Sequence, residues 1–501
     1  MRKKKAFINI CFSLILEFIT VVSGLIVPRL IIGTFGSDVN GLVNSIASFV
    51  AYITLLQTGV GSAVKAALYK PLAQKNHDEL CTVVKSAEKF FKKIAIATII
   101  YIGALMVLFP GVIAKEYGWI YTASLVLVVG IGTAAQYFFG ITYQMVLEAD
   151  QVSYIYSIIQ IITVILNTVF VVILINFGYS IQIVKLASAF FFVIRPIVLG
   201  AYTKRRYKIN LNVPDNKNLL SQRWDAFAQS IAYFIHSKTD IFVLTIFSSL
   251  INVSIYSVYA LVTTGLASLI DAIDKAVRAA FGNIIACNEK KTLRESFSAY
   301  NSLIHMLATS FFATAGITVF SFIQVYVKNV QDANYIQPIF GVLIVTAQFV
   351  YCLRSPYNSI IYAAGKFKET SIPAGIEAGI NIVLSCILVI KFGLVGVAIG
   401  TLVAMSYRTI TFIAYLRKNI LEFSVVSQIK RFVVTFFGYF LMIYIGSKYP
   451  YEASGYFSWA VYAAIVFSFV SVGNIMINYL LDRNSTCSAV KLLFFGKRNG
   501  R

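Results

Sequence analysis

About fourteen long apolar stretches run through this chain, and nearly all of its Lys and Arg fall in every second gap between them. An apolar run of about 18 or more residues is long enough to cross a ~30 Å hydrocarbon core as a helix. Inside that core only helices or closed barrels satisfy their own backbone hydrogen-bonding groups, and these runs are too long for barrel strands. The pattern predicts an all-α polytopic membrane protein of about 14 transmembrane helices. Of 501 residues, 58% are hydrophobic and 13% charged, too little polar side chain to coat a soluble body of that size. No gap exceeds about 30 residues, which leaves no room for a soluble catalytic domain.

The spans are expected at roughly 6–33, 41–64, 94–113, 119–147, 153–177, 180–202, 226–248, 251–277, 300–327, 334–357, 369–390, 393–416, 432–447 and 457–481. Gaps and tails on the side of the N-terminus hold about 31 Lys or Arg, including Arg2 to Lys5, Lys65 to Lys93, Lys204 to Arg223 and Arg417 to Arg431. The other side holds about four: Lys115, Lys328, Lys391 and Lys448. So large a bias predicts a multi-pass cytoplasmic-membrane protein with both termini cytoplasmic and an even number of spans. The net charge of +22 follows from that bias and from anionic lipid headgroups, without calling for nucleic acid. Cys11, Cys81, Cys287, Cys352, Cys386 and Cys487 show no metal-ligand spacing and imply no disulfide. The basic start, Met1 to Lys5, resembles a signal-peptide n-region, but the apolar run behind it reaches Gly33 and reads as the first span.

The spans look duplicated. Arg195, Ile197, Ala201 and Tyr202 in span 6 recur as Arg408, Ile410, Ala414 and Tyr415 in span 12. Ala135-Gln136-Tyr137 in span 4 recurs as Ala347-Gln348-Phe349 in span 10, and Thr34 and Ser37 match Thr245 and Ser248. The offsets agree at 211 to 213 residues, and agreement on one period is what separates a repeat from chance matching of apolar sequence. A six-span unit is even, so both copies face the same way: two parallel six-helix lobes around a central cleft, plus two C-terminal helices. The expected division is an N-lobe over 1–202, a polar, basic linker with Pro214 over 203–222, a C-lobe over 223–420, and spans 13 and 14 with a tail over 421–501.

Ionisable residues inside spans are costly, and they mark cavities or intramembrane pairs. Asp271, Asp274, Lys275 and Arg278 in span 8 follow the i, i+3, i+4, i+7 pattern of one helical face, where Asp271 can pair with Lys275 and Asp274 with Arg278. Span 7 carries His236, Lys238 and Asp240 near mid-membrane. Glu17 sits near the middle of span 1, and Arg29 follows Pro28, whose missing N–H would free a carbonyl beside a cavity. Glu377 lies in span 11 one turn after Pro373. The repeat-related Arg195 and Arg408 lie in the inner thirds of their spans, where arginine either snorkels to the interface or clamps a diphosphate. These twelve are the candidate substrate-binding or ion-coupling residues. Gly396 and Gly400 form a close-packing pair in span 12, and residues 62–75 read as an amphipathic interfacial extension.

The chain holds no G-x-x-x-x-G-K-[ST], no H-E-x-x-H and no G-x-S-x-G. ATP hydrolysis, metal and cofactor binding and an enzymatic role are therefore not expected.

The segment from Arg29 to Gln74, RLIIGTFGSDVNGLVNSIASFVAYITLLQTGVGSAVKAALYKPLAQ, resembles the N-terminal signature of bacterial polysaccharide-biosynthesis membrane proteins. These are the Wzx-type flippases of the multidrug/oligosaccharidyl-lipid/polysaccharide exporter superfamily. Leu147-Glu148-Ala149-Asp150-Gln151, Ser237-Lys238-Thr239-Asp240 with IFVLTIF, and Tyr256-Ser257-Val258-Tyr259 are similar to the same family. The two extra C-terminal spans resemble the lipid II flippase branch, although that branch is richer in span-1 arginines and here Arg29 stands alone. The resemblance implies a flippase for undecaprenyl-diphosphate-linked oligosaccharide, working by alternating access alongside a polysaccharide polymerase and glycosyltransferases. The competing readings are an ion-coupled drug exporter of the same superfamily and a lipid II flippase.

Overall fold

The computed structural model describes residues 2–57, 60–214, 239–366, 368–481, 483 and 486–487. Among them the regular structure is entirely helical, and thirteen helical segments are long and apolar enough to cross a membrane. The expected span over 226–248 lies mostly outside the described residues; only its end, 239–247, is seen, as helix. The remaining expected spans each coincide with one crossing segment.

The chain divides into two compact units, Met1–Ser254 and Ile255–Arg501. The first contains α1 (Arg2–Phe35), α2 (Ser37–Ala51), a 3-10 turn (Tyr52–Gln57), α3 (Val60–Gln74) and α4 (His77–Val112). It continues with α5 (Trp119–Ala135), a π turn (Gln136–Gly140), α6 (Ile141–Ala149), α7 (Tyr154–Asn176) and α8 (Ile181–Tyr207). α9 (239–247) closes it, and α10 (Leu250–Ala286) begins at its edge. The second unit holds the rest of α10, α11 (Lys290–Tyr326), α12 (Pro338–Leu353), α13 (Ser355–Ala363) and α14 (Ser371–Phe392). α15 (Leu394–Asn419), α16 (Val425–Ser447) and α17 (Tyr456–Leu481) complete it.

Apolar side chains are no better off against a neighbouring helix than against lipid, so close packing and polar contacts must select partners. Ile10, Leu14 and Phe18 on α1 and Val433, Phe437 and Phe440 on α16 stay on the outside. The cores are tight: Leu42, Ile46, Leu125 and Val126 in unit 1, and Ile304, Phe312, Phe349, Tyr357 and Tyr439 in unit 2, are fully enclosed. Phe349 stacks on Tyr439 with centroids 4.3 Å apart. Close approach depends on glycine where α14 meets α15. Gly393, at φ 52 and ψ −127, turns the chain between them in a conformation that a side chain would forbid. Gly396 and Gly400 then lie directly against the backbones of Leu388 and Ser385, as the spacing in span 12 predicts.

Two expectations change. Pro28 does not interrupt span 1, because α1 runs through it as one helix. The 203–222 linker starts later than its polarity suggests. α8 continues to Tyr207, and the chain then folds back on unit 1. There Asn210 N donates to Cys81 Sγ at 3.3 Å, Lys208 O meets His77 Nε2 at 3.0 Å, and Ile209 and Leu211 join the α3–α4 core. Spans 13 and 14 are joined to α11 through buried polar contacts. Asn474 on α17 donates to Met306 O at 2.8 Å, His305 Nδ1 meets Thr435 Oγ1 on α16 at 2.8 Å, and Asn301 donates to Gln428 Oε1 at 3.0 Å.

Candidate functional site

The densest polar construction lies in unit 2, toward the helix ends that lead into Lys- and Arg-rich gaps. α12 stops at Leu353 and α13 starts at Ser355, with Pro356 in its first turn where no N–H is needed. Arg354 is the junction. Its Nη1 donates to Glu377 Oε1 on α14 at 2.7 Å, and Arg408 on α15 donates to Glu377 Oε2 at 2.9 Å. Arg354, Glu377 and Arg408 are 8%, 3% and 7% exposed, so all three charges are held away from solvent. Each guanidinium also covers a ring, Tyr351 at 4.6 Å and Phe412 at 4.4 Å. Two cations share one anion, and the Asp271 carboxylate lies within electrostatic range of Arg354. A single carboxylate here ties α13, α14 and α15 into one body.

A second buried carboxylate stands beside it. Asp274 on α10 accepts from Arg278 Nη2 at 2.7 Å and from the Tyr300 hydroxyl at 3.1 Å, and the Ser359 hydroxyl bonds it as well. The Arg278 guanidinium lies over the Tyr362 ring at 5.2 Å, and the Tyr362 hydroxyl bonds Arg408, so the two networks meet at that residue. The i, i+4 pair Asp274–Arg278 forms as its spacing predicts. Asp271 and Lys275 lie within electrostatic range of each other, with no hydrogen bond or salt bridge between them among the described residues. Asp271 is half-buried and Lys275 exposed.

In unit 1 the polar groups gather at the corresponding helix ends. Glu148 on α6 accepts from Lys65 Nζ at 2.9 Å and from Gln144 at 2.8 Å, and Gln136 donates to Gln144 at 3.3 Å. This file runs from α3 to the π turn. Asp150 takes the Tyr207 hydroxyl at 2.7 Å and Lys5 at 3.7 Å, fastening the start of α1 and the end of α8 to one turn. At the other end Asp38 receives the Tyr117 hydroxyl. Burial first, and then that carboxylate, push the Tyr117 phenol up, so it remains a donor.

The remaining candidates separate. Glu17 is exposed on α1 with no hydrogen bond or ion pair among the described residues, and Arg29 is half-buried. Asp240 is buried on α9 beside Tyr52, whose hydroxyl bonds Thr239, while Phe242 stacks on Phe49 at 4.9 Å. Arg195 is half-buried over the Phe192 ring at 5.7 Å. His236 and Lys238 lie outside the described residues. Arg408 does not snorkel; it is enclosed and paired. The structure thus brings together Asp274, Arg278, Glu377 and Arg408 and adds Arg354, Tyr300, Ser359 and Tyr362, which sequence reasoning missed. A signal for Arg354 existed: a lone Arg before Ser-Pro inside an apolar run marks a broken helix with a charge at the break.

No protein-family model and no curated protein sequence matches the chain. Solved structures do. The lipid II flippase MurJ, in an inward closed conformation, aligns with 95% of this chain and 99% of its own at 15% identity and a TM-score of 0.71. An inward-facing multidrug resistance MATE family transporter of the MOP superfamily aligns with 82% of this chain and 97% of its own, at 14% identity and TM-score 0.57. The MATE multidrug transporter DinF-BH aligns with 83% and 95%, at 14% identity and TM-score 0.60. The chain therefore has the fold of these transporters.

Proposed function

We propose that this protein flips an undecaprenyl-diphosphate-linked oligosaccharide from the inner to the outer leaflet of a bacterial cytoplasmic membrane, for cell-surface polysaccharide synthesis. It works by alternating access, without ATP hydrolysis. The observation that carries this reading is the extent of the fold likeness. The flippase matches 95% of the chain, whereas the two MATE transporters match 82% and 83%. In unit 2, α16 and α17 are bonded to α11 through Asn301, His305 and Asn474.

The physical chemistry supports a lipid-linked polar cargo. A glycan cannot enter hydrocarbon, and a diphosphate needs cations along its route. Arg29 in unit 1 and Arg278 in unit 2 are such cations within crossing helices, and neither is fully enclosed. The MATE likeness favours a second reading, an ion-coupled drug exporter using Glu17 or Asp240.

Expression in a strain deleted for its oligosaccharide flippase separates the two. Restored surface polysaccharide supports flipping. Loss of that rescue in Arg29→Ala or Arg29→Gln, with partial rescue by Arg29→Lys at equal protein levels, is the expected pattern. Drug resistance without polysaccharide would select the exporter.

A further inference from the structure

Arg195 and Arg408 stand 213 residues apart at matching places of the duplicated sequence, yet their surroundings differ. Arg408 shares Glu377 with Arg354. At offsets of 213 or 212 the first half has Ile141 or Thr142 where the second has Arg354, and Val164 or Ile165 where the second has Glu377. Neither the acid nor the second base is present. Arg195 accordingly has no ion pair among the described residues, and its Nε is buried without a hydrogen-bond partner. Tyr156 lies within electrostatic range of both Arg195 and Glu148, but that acid is already held by Lys65 and Gln144.

A guanidinium half out of solvent with no counter-ion among the described residues is expensive, and membrane proteins keep such groups for function. A second unfilled group accompanies it. The residue after Arg195, Pro196, presses on Gly140 at the end of the π turn, and a Cβ there would lie 2.6 Å from Pro196 Cβ and 2.9 Å from Gln136 Oε1. Gln136 Oε1 is itself buried without a hydrogen-bond partner among the described residues. π turns are rare and concentrate at functional sites. Around this one an unfilled donor and an unfilled acceptor lie on adjoining elements of unit 1.

We infer that Arg195 is the anion-binding residue of the first half, taking the phosphate groups of the lipid-linked substrate, while in the second half Glu377 fills the equivalent place from within. The inference rests on the flippase reading and adds the residue that recognises the headgroup. The planar fork of arginine matches phosphate oxygens in pairs, which an amide cannot do.

The test uses the purified full-length protein in phosphatidylcholine nanodiscs and measures binding of undecaprenyl diphosphate, with inorganic diphosphate and phosphatidylglycerol as competitors. The wild type should bind the polyprenyl diphosphate, and phosphatidylglycerol should compete poorly. Arg195→Gln should weaken binding by about tenfold to a hundredfold, the worth of a charge-assisted hydrogen bond, and Arg195→Lys should recover part of it. Val164→Glu, which restores an acid at the counterpart of Glu377 and leaves the arginine in place, should weaken binding similarly; it decides the matter if Arg195→Gln does not fold. Undiminished binding by Arg195→Gln, or by a folded Val164→Glu when Arg195→Gln cannot be prepared, would overturn the inference while leaving the flippase reading intact. Equal competition by phosphatidylglycerol would make the site one for bulk lipid headgroups and also overturn it. If the wild type binds no polyprenyl diphosphate, the flippase reading falls and the inference with it.

Discussion

Glu377 holds two guanidinium groups with its two carboxylate oxygens, at 2.7 and 2.9 Å. Such triads are weak sources of net stability, since removing three charges from water offsets their attraction, but breaking one leaves an uncompensated buried charge. Glu377→Ala should therefore cost roughly 3–5 kcal/mol, seen as a lowered unfolding midpoint in detergent. The joint replacement Arg354→Met, Glu377→Leu, Arg408→Met should recover most of that loss. If the joint variant is as unstable as Glu377→Ala, the triad is contributing specific attraction rather than merely avoiding an orphaned charge. The sequence showed half of this arrangement. Asp274 and Arg278 are four apart on one helix, and helical geometry alone predicts their contact. Arg354, Glu377 and Arg408 are separated by 23 and 31 residues on different helices. No periodicity links them, and only the packing of α14 on α15 brings them to one point.

At the level of elements, hydropathy located the crossing segments well because lipid imposes a length on them, but it ended several helices too early. Span 3 was expected from residue 94, yet α4 starts at His77, capped by the Asn76 side chain accepting from Glu79 N at 3.2 Å. Lys85, Lys89, Lys92 and Lys93 continue that helix outside the apolar run, where helix formation needs only good formers and a cap. The α14–α15 hairpin shows the opposite case, a feature legible from two glycines. Gly396→Leu should drive a side chain into the Leu388 backbone and abolish recovery of folded protein by gel filtration, and Gly400→Leu should do the same against Ser385. Leucine tolerated at both positions would mean that the two helices are not held at this distance. On α17, Asn474→Leu removes three hydrogen bonds, those it donates to Met306 O and Ser310 Oγ and the one it accepts from Asn478, and should cost about 1–3 kcal/mol by leaving those groups unpaired.

At the level of the whole molecule, the parity of the spans decides how it sits in the membrane. Thirteen crossing segments are found among the described residues, and an odd number would put the two ends of the chain on opposite sides. The charge pattern demands the same side: about 31 Lys and Arg against about four fall on alternate gaps only if the stretch 226–248 also crosses. One missing crossing there would invert every later gap, placing the basic segments around Arg294, Lys366 and Arg417 outside and exposing Lys328, Lys391 and Lys448 within. Reporter fusions resolve this directly. Fusions after residues 210 and 420 should read cytoplasmic, and fusions after 249 and 452 external. A fusion after 249 that reads cytoplasmic, together with one after 420 that reads external, would show that 226–248 does not cross and that the duplication is not parallel. The expected result would give each half six crossings of the same sense, the condition under which Arg195 and Arg408 approach the same leaflet.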